Sequence, residues 1–347
     1  MNHSLSTPTS APAPLPRQKQ IAPLLPGLLL TTGIAVLAFV VQRGSGLAAL
    51  SPLVVAMVMG LVLRNTLGAV PGTAPGVAFS LRRILRFAII LLGFQITLGD
   101  LADIGPGALA AVVLTLLSTF VFTKLAGRAL GVDRKLSELI AAGTSVCGAS
   151  AVVACNAVTQ GQDEDVAYAI ACVTVFGSIA MLGYPLLAGP LGLSPQSFGL
   201  WAGGTIHEVA QVVAAAFTQG ELAGQSGTIA KLSRVMMLAP LIIGLGVMAS
   251  RRAQGDGRKS EARAPLPWFV FGFIAVVVLN SVIEIPPATH GQIVTATSFL
   301  LTIALAAMGL ETDVHKLRRK GLRPLLLGAL ATAFIAVTGL GLILLLA

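Results

Sequence analysis

Gly143-Thr144-Ser145-Val146-Cys147-Gly148-Ala149-Ser150 stands in the middle of an apolar run. A second glycine string, Gly203-Gly204-Thr205-Ile206-His207-Glu208-Val209-Ala210-Gln211, stands in the middle of another. Glycine lets a helical backbone open, and hydroxyls then satisfy the freed amides and carbonyls or coordinate an ion. A helix broken at mid-membrane presents the N-terminus of its second half, whose free N–H groups attract anions. Thr144, Ser145, Cys147, Gly148 and Ser150 are therefore candidate substrate-binding residues. The plainer reading, close helix packing through small residues, does not call for three hydroxyls together.

An ionisable side chain inside a membrane is costly and by default points to a functional site. His207 and Glu208 are the candidates for ion coupling, because both side chains exchange protons. Glu208 neighbours Thr205 and Gln211 at helical spacing, so Gly204, Thr205 and Gln211 join the substrate-binding set. A structural His–Glu pair is the plainer reading here. His207-Glu208-Val209-Ala210-Gln211 lacks the second imidazole of the zinc-protease pattern HExxH. An intramembrane hydrolase using His207 and Glu208 with a metal, or Cys147 as nucleophile, is the rival from another class. A passive anion channel is the third reading.

Both strings lie in a chain of 347 residues that is 55% hydrophobic and only 11% charged, with a mean hydropathy of +0.87. Soluble globular proteins are about 25% charged. The 38 glycines and 19 prolines also suit membrane helices. Disorder, a disulfide-stapled secreted domain and an ordinary soluble enzyme are excluded, which leaves an all-α polytopic membrane protein. Residues 1–20, rich in Ser, Thr and Pro, read as a disordered cytoplasmic tail, and residues 21–347 as a single transmembrane transporter domain. Eleven apolar segments follow the tail: 21–41, 47–63, 84–98, 106–126, 136–158, 166–188, 197–218, 226–250, 266–284, 291–310 and 322–346. The pattern predicts about 11 transmembrane helices.

With the N-terminus in the cytoplasm and strict alternation, 20 of the 23 Lys and Arg residues fall in cytoplasmic loops. The C-terminus is then external, and Asp100, Asp103, Asp163, Glu164, Asp165 and Glu221 lie outside. The net charge of +9 is thus an orientation signal and not a nucleic-acid footprint. Only Arg43 falls outside, while Lys231 and Arg234 lie within a span near its external end. On one face at i and i+3, these two either snorkel or line an anion vestibule, and they complete the substrate-binding set.

The chain also resembles itself. Residues 91–105 align with 307–321 at an offset of 216, in opposite predicted orientation, as inverted repeats require. Residues 141–154 align with 202–215 at an offset of 61, and the two offsets do not fit one tandem duplication. No nucleotide or metal motif is present, and no cofactor is expected.

The string Leu85–Gln95, both glycine motifs and the late Gly309-Leu310-Glu311-Thr312 resemble the YeiH-type sulfate exporter family of bacterial inner-membrane proteins. The match runs through nearly the whole chain from residue 21. The resemblance implies a secondary transporter of the cation/proton antiporter and anion transporter superfamily, built from inverted repeats with discontinuous helices near the midplane. The sulfate label is itself an inference within that family, which has no established catalytic residues to carry over. The expected partners are a small anionic solute, H+ or Na+ as coupling ion, and the bilayer. Substrate, direction and homo-oligomeric state stay open.

Overall fold

The computed structural model describes residues 22–45, 51–253, 268–314 and 320–347. The tail read from residues 1–20 lies outside them. The described residues are helical, with no strand among them. In chain order the helices are α1 (Leu25–Ser45), α2 (Pro52–Leu67), α3 (Ala74–Phe79), α4 (Leu85–Leu92), α5 (Leu98–Asp103) and α6 (Gly105–Ala129). A π turn over Ser80–Ile84 joins α3 to α4. Then come α7 (Arg134–Ser145), α8 (Ala149–Thr159), α9 (Asp163–Ala188), α10 (Pro195–Thr205) and α11 (Val209–Ala216). The last are α12 (Glu221–Met236), α13 (Leu238–Ala253), α14 (Trp268–Val282), α15 (Pro287–Glu311) and α16 (Leu322–Leu346). Among the described residues six spans are long and apolar enough to cross a membrane: α1, α6, α9, α12 continuing into α13, α15 and α16.

Two of the eleven predicted spans do not run through. Helix α8 turns back along α7: the Thr159 hydroxyl donates to Glu138 Oε2 at 3.4 Å, and Lys135 Nζ donates to the Gln160 carbonyl at 2.7 Å. The start of α7 and the end of α8 therefore share one face. Helix α11 likewise turns back along α10. Gly199 and Gly203 of α10 face Ala223 and Gly227 of α12, so those two helices run parallel. Phe217 and Val212, by contrast, face Gly224 and Gly227, so the returning arm runs antiparallel to α12. Gln219 Nε2 donates to the Pro185 carbonyl at the end of α9, close to where α10 begins. Each pair is a hairpin with its tip at a glycine string. Helix α9 links them, so they enter from opposite faces.

The external placement of Asp163, Glu164 and Asp165 is therefore overturned. Asp165 pairs with Lys320, on the face that holds Lys135 and Arg323. This basic face also carries the pair between Arg64 and Asp313, 3.3 Å apart. The second hairpin restores the alternation, so Glu221 lies on the face opposite Lys135 and Lys320. A Gln162→Cys protein is expected to react with an impermeant maleimide from the same side as Arg134→Cys and opposite to Glu221→Cys. Labelling of Gln162→Cys from the Glu221 side would mean that the segment crosses.

The structure bears on the two repeat offsets separately. Helices α6 and α16 open at Gly105 and Gly321, an offset of 216. The first hairpin begins at 134 and the second at 195, an offset of 61. Each offset thus relates elements that run in opposite directions. Antiparallel packing of α6 on α16 supports this: Gly107 meets Leu346 at one end, and Gly127 meets Leu327 at the other. Gly105 and Gly321, which open these helices, both have positive φ.

The helices separate into two bundles. One contains α1 to α4 with α14 and α15; the other contains the two hairpins with α6, α9, α12, α13 and α16. The bundles touch where α11 meets α2 and α15, and where α12 meets α5 and α14. On the face away from the basic loops, Gln225 Nε2 donates to the Gln95 carbonyl at 2.7 Å and ties one bundle to the other.

Candidate functional site at the hairpin tips

A helix that stops inside a membrane leaves its last carbonyls without partners, and the macrodipole puts partial negative charge there. Helices α7 and α10 both stop at the tips, and the structure supplies two cations. Arg234 donates through Nε and Nη2 to the Ser145 carbonyl at 3.0 and 2.8 Å, and through Nη2 to that of Thr144 at 2.8 Å. Its Nη1 reaches the carbonyls of Gly203 at 3.2 Å and Ile206 at 3.0 Å. Lys231 Nζ donates to Val146 and Ile206 at 2.8 Å and to His207 at 2.5 Å. Both side chains are fully buried and do not line an external vestibule. One helix, α12, thus stitches the ends of both hairpins together, and its glycine contacts with α10 bring it close enough to do so.

The other ends of the breaks are N-termini. Gly148, with φ +65°, turns the chain into α8 and leaves its face open. Glu208 fills that space, and a Cβ on Gly148 would sit 2.0 Å from its Oε1. The same Oε1 accepts from the Ala149 amide at 2.5 Å, so the carboxylate of one hairpin occupies the N-terminus of the other. Glu208 is half-buried and Ser150 beside it is exposed. Exposed Val153 and Ala157 continue from Ser150 along α8 toward the basic face.

Gln211 holds Glu208 from behind. Its Oε1 accepts from the Glu208 amide at 3.1 Å, while its Nε2 donates to the Thr174 carbonyl at 3.1 Å and the Ser178 hydroxyl at 3.3 Å. Gly177 leaves room for it, since a Cβ there would lie 2.2 Å from Gln211 Oε1. His207 is fully buried, with Nε2 at 3.4 Å from the Thr332 hydroxyl and Nδ1 without a partner.

Several predicted ligands are otherwise engaged. Ser145 and Thr205 return their hydroxyls to the carbonyls four residues back, each at 2.6 Å. Thr144 contributes its carbonyl to Arg234, and Gly204 packs against Ile343 and Val112. Cys147 Sγ lies 3.0 Å from Ser150 Oγ, which also donates to the Cys147 carbonyl at 3.1 Å. The accessible polar groups at the tips are those of Glu208 and Ser150, with Ala149 between them only partly buried. Sequence reasoning missed Thr174 and Ser178, although a polar pair at i and i+4 in an apolar helix was a usable signal. Thr332 gave none. No group of three or more His, Cys, Asp or Glu side chains among the described residues is arranged to hold a metal.

A family model described as conserved hypothetical protein 698 matches residues 26–328. A UPF0324 membrane protein of Pseudomonas aeruginosa is 40% identical over 332 residues, covering 92% of this chain and 94% of that one. The UPF0324 inner membrane protein YeiH of Escherichia coli K12 is 38% identical over 325 residues, covering 91% and 92%. A UPF0324 membrane protein of Bacillus cereus is 36% identical over 315 residues, covering 90% and 92%. No solved structure matches the chain.

Proposed function

Since the chain belongs to the conserved hypothetical protein 698 (UPF0324) family of membrane proteins, we propose that it is a secondary transporter, moving a small anion across the bacterial inner membrane. Sulfate is the first solute to try. The observation that carries this reading is the Glu208 carboxylate on the Ala149 amide, between hairpins that enter from opposite faces. A carboxylate at that position is a tethered anion. While it is charged it keeps a solute anion away from the amide. Once protonated it loses that advantage, and a solute oxyanion takes the amide and the Ser150 hydroxyl in its place. One proton and one anion are then linked through a single position.

Protons fit this centre better than sodium. A sodium ion would need the carbonyl oxygens freed at the helix breaks, and the Lys231 ammonium already sits among those of Val146, Ile206 and His207. Positive-inside orientation puts the basic face in the cytoplasm. The exposed stripe along α8 then gives that side access to Glu208, and the N- and C-termini lie inside and outside respectively. The hydrolase reading gains no support from these pairings, in which His207 Nε2 faces Thr332 and the Cys147 thiol faces Ser150. A passive channel does not need a carboxylate held at the constriction.

Radiolabelled sulfate flux in proteoliposomes tests the proposal. A pH gradient is expected to drive flux in the parent, with choline replacing sodium at no cost. Glu208→Gln is expected to lose at least about tenfold of the proton-driven component, since a neutral amide cannot exchange the proton. Equal proton-driven flux in both proteins removes Glu208 from coupling, and a sodium requirement removes the assignment of Lys231.

A further inference from the structure

We propose that the wedge between α6 and α13 on the basic side binds one anionic phospholipid, with its acyl chain in the groove and its phosphate on Arg128 and Lys124. The wedge has a local cause. Helix α12 packs against α6, but the chain turns at Met237 and Pro240 lies in the first turn of α13, so α13 leans away to touch α8. A cavity of about 560 Å³ opens between α6 and α13. Its walls are apolar, among them Leu117, Val121, Leu241 and Leu245, and the space above Gly244 is empty.

The polar groups lining it are gathered at one end. Lys124 Nζ is 2.8 Å from Glu138 Oε1 and 5.3 Å from the centre of the Phe120 ring, so it is neutralised in part but keeps spare N–H donors. Arg128, one turn further toward the basic face, is exposed and has no hydrogen bond or ion pair among the described residues. A guanidinium in that position takes a phosphate through two parallel N–H donors; in phosphatidylcholine the choline cation beside the same phosphate offsets that attraction, whereas an anionic headgroup carries no such cation. The dimensions also fit. The lining runs from Val113 to Arg128 on α6, 15 residues or about 22 Å of helix, and one leaflet with its headgroup layer is about 20–22 Å thick. Basic pockets between helices at the cytoplasmic surface are a recognised form of acidic headgroup site. A second copy of the chain fits less well, since it would have to cover an unpaired arginine.

Native mass spectrometry of the delipidated full chain, offered phosphatidylglycerol or phosphatidylcholine with the same acyl chains, tests this. One phosphatidylglycerol per chain is expected to be retained about tenfold better than phosphatidylcholine. Arg128→Glu should abolish that preference. Gly244→Leu, which projects into empty space, should cut retention of both lipids. Equal retention of the two lipids by the parent overturns the proposal, as does a preference unchanged in Arg128→Glu. A dimer whose formation excludes lipid, and which Gly244→Leu breaks, assigns the wedge to a second copy instead.

Discussion

Arg234→Ala is expected to yield no monodisperse protein after extraction, because the residue holds both hairpins at once. Its guanidinium makes five donor contacts to four carbonyls, those of Thr144, Ser145, Gly203 and Ile206. Hydrogen bonds to a charged group contribute about 1.5–3 kcal/mol each, and a buried acceptor left bare costs about 1–3 kcal/mol. Even with Lys231 still covering Ile206, the loss is on the order of 5 kcal/mol, comparable with the whole stability margin of many domains. Arg234→Lys should retain part of it, since one ammonium cannot span both helix ends as a planar fork does. Thermal unfolding in detergent, with size-exclusion profiles, distinguishes these. An Arg234→Ala protein melting within a few degrees of the parent would show that the tips are held by something else.

Gly148→Ala is expected to cost less stability and nearly all transport. The φ of +65° is strained for any side chain, at about 1–3 kcal/mol. The new Cβ would lie 2.0 Å from Glu208 Oε1 and 2.4 Å from its Cδ, so the carboxylate must leave the Ala149 amide. Sulfate flux is expected to fall at least about 100-fold. A double-mutant cycle separates the two costs. In a Glu208→Ala background the clash is gone, and Gly148→Ala should cost only the backbone strain. Strict additivity of the unfolding shifts would mean that the carboxylate is not seated over Gly148 in solution.

Much of this was legible in the residues, for physical reasons that also mark where legibility stops. The apolar segments announce themselves because a membrane helix must bury nearly every side chain in apolar surroundings. The two glycine strings announce a break for the same reason. What they do not announce is the direction the chain takes afterwards. Residues 136–158 are long enough for one crossing or for two half-length arms, and hydropathy is blind to the difference. That parity error put Asp163 to Asp165 outside, and the second hairpin cancelled it. Lys231 and Arg234, read as snorkelling or lining a vestibule, are instead buried at the tips for a related reason. Each break frees carbonyls, so two breaks require two buried donors, and the only cations more than one turn inside any span were these. Counting freed carbonyls against available donors would have placed both at the tips.

The tie between Gln225 and the Gln95 carbonyl has an energetic consequence. A neutral hydrogen bond contributes about 1 kcal/mol net, because water replaces it when it parts. Parting the bundles on that face would therefore change the polar balance by less than a tenfold shift in an equilibrium, which is 1.4 kcal/mol. The tie at Gln225 is thus too weak to hold the two bundles together by itself.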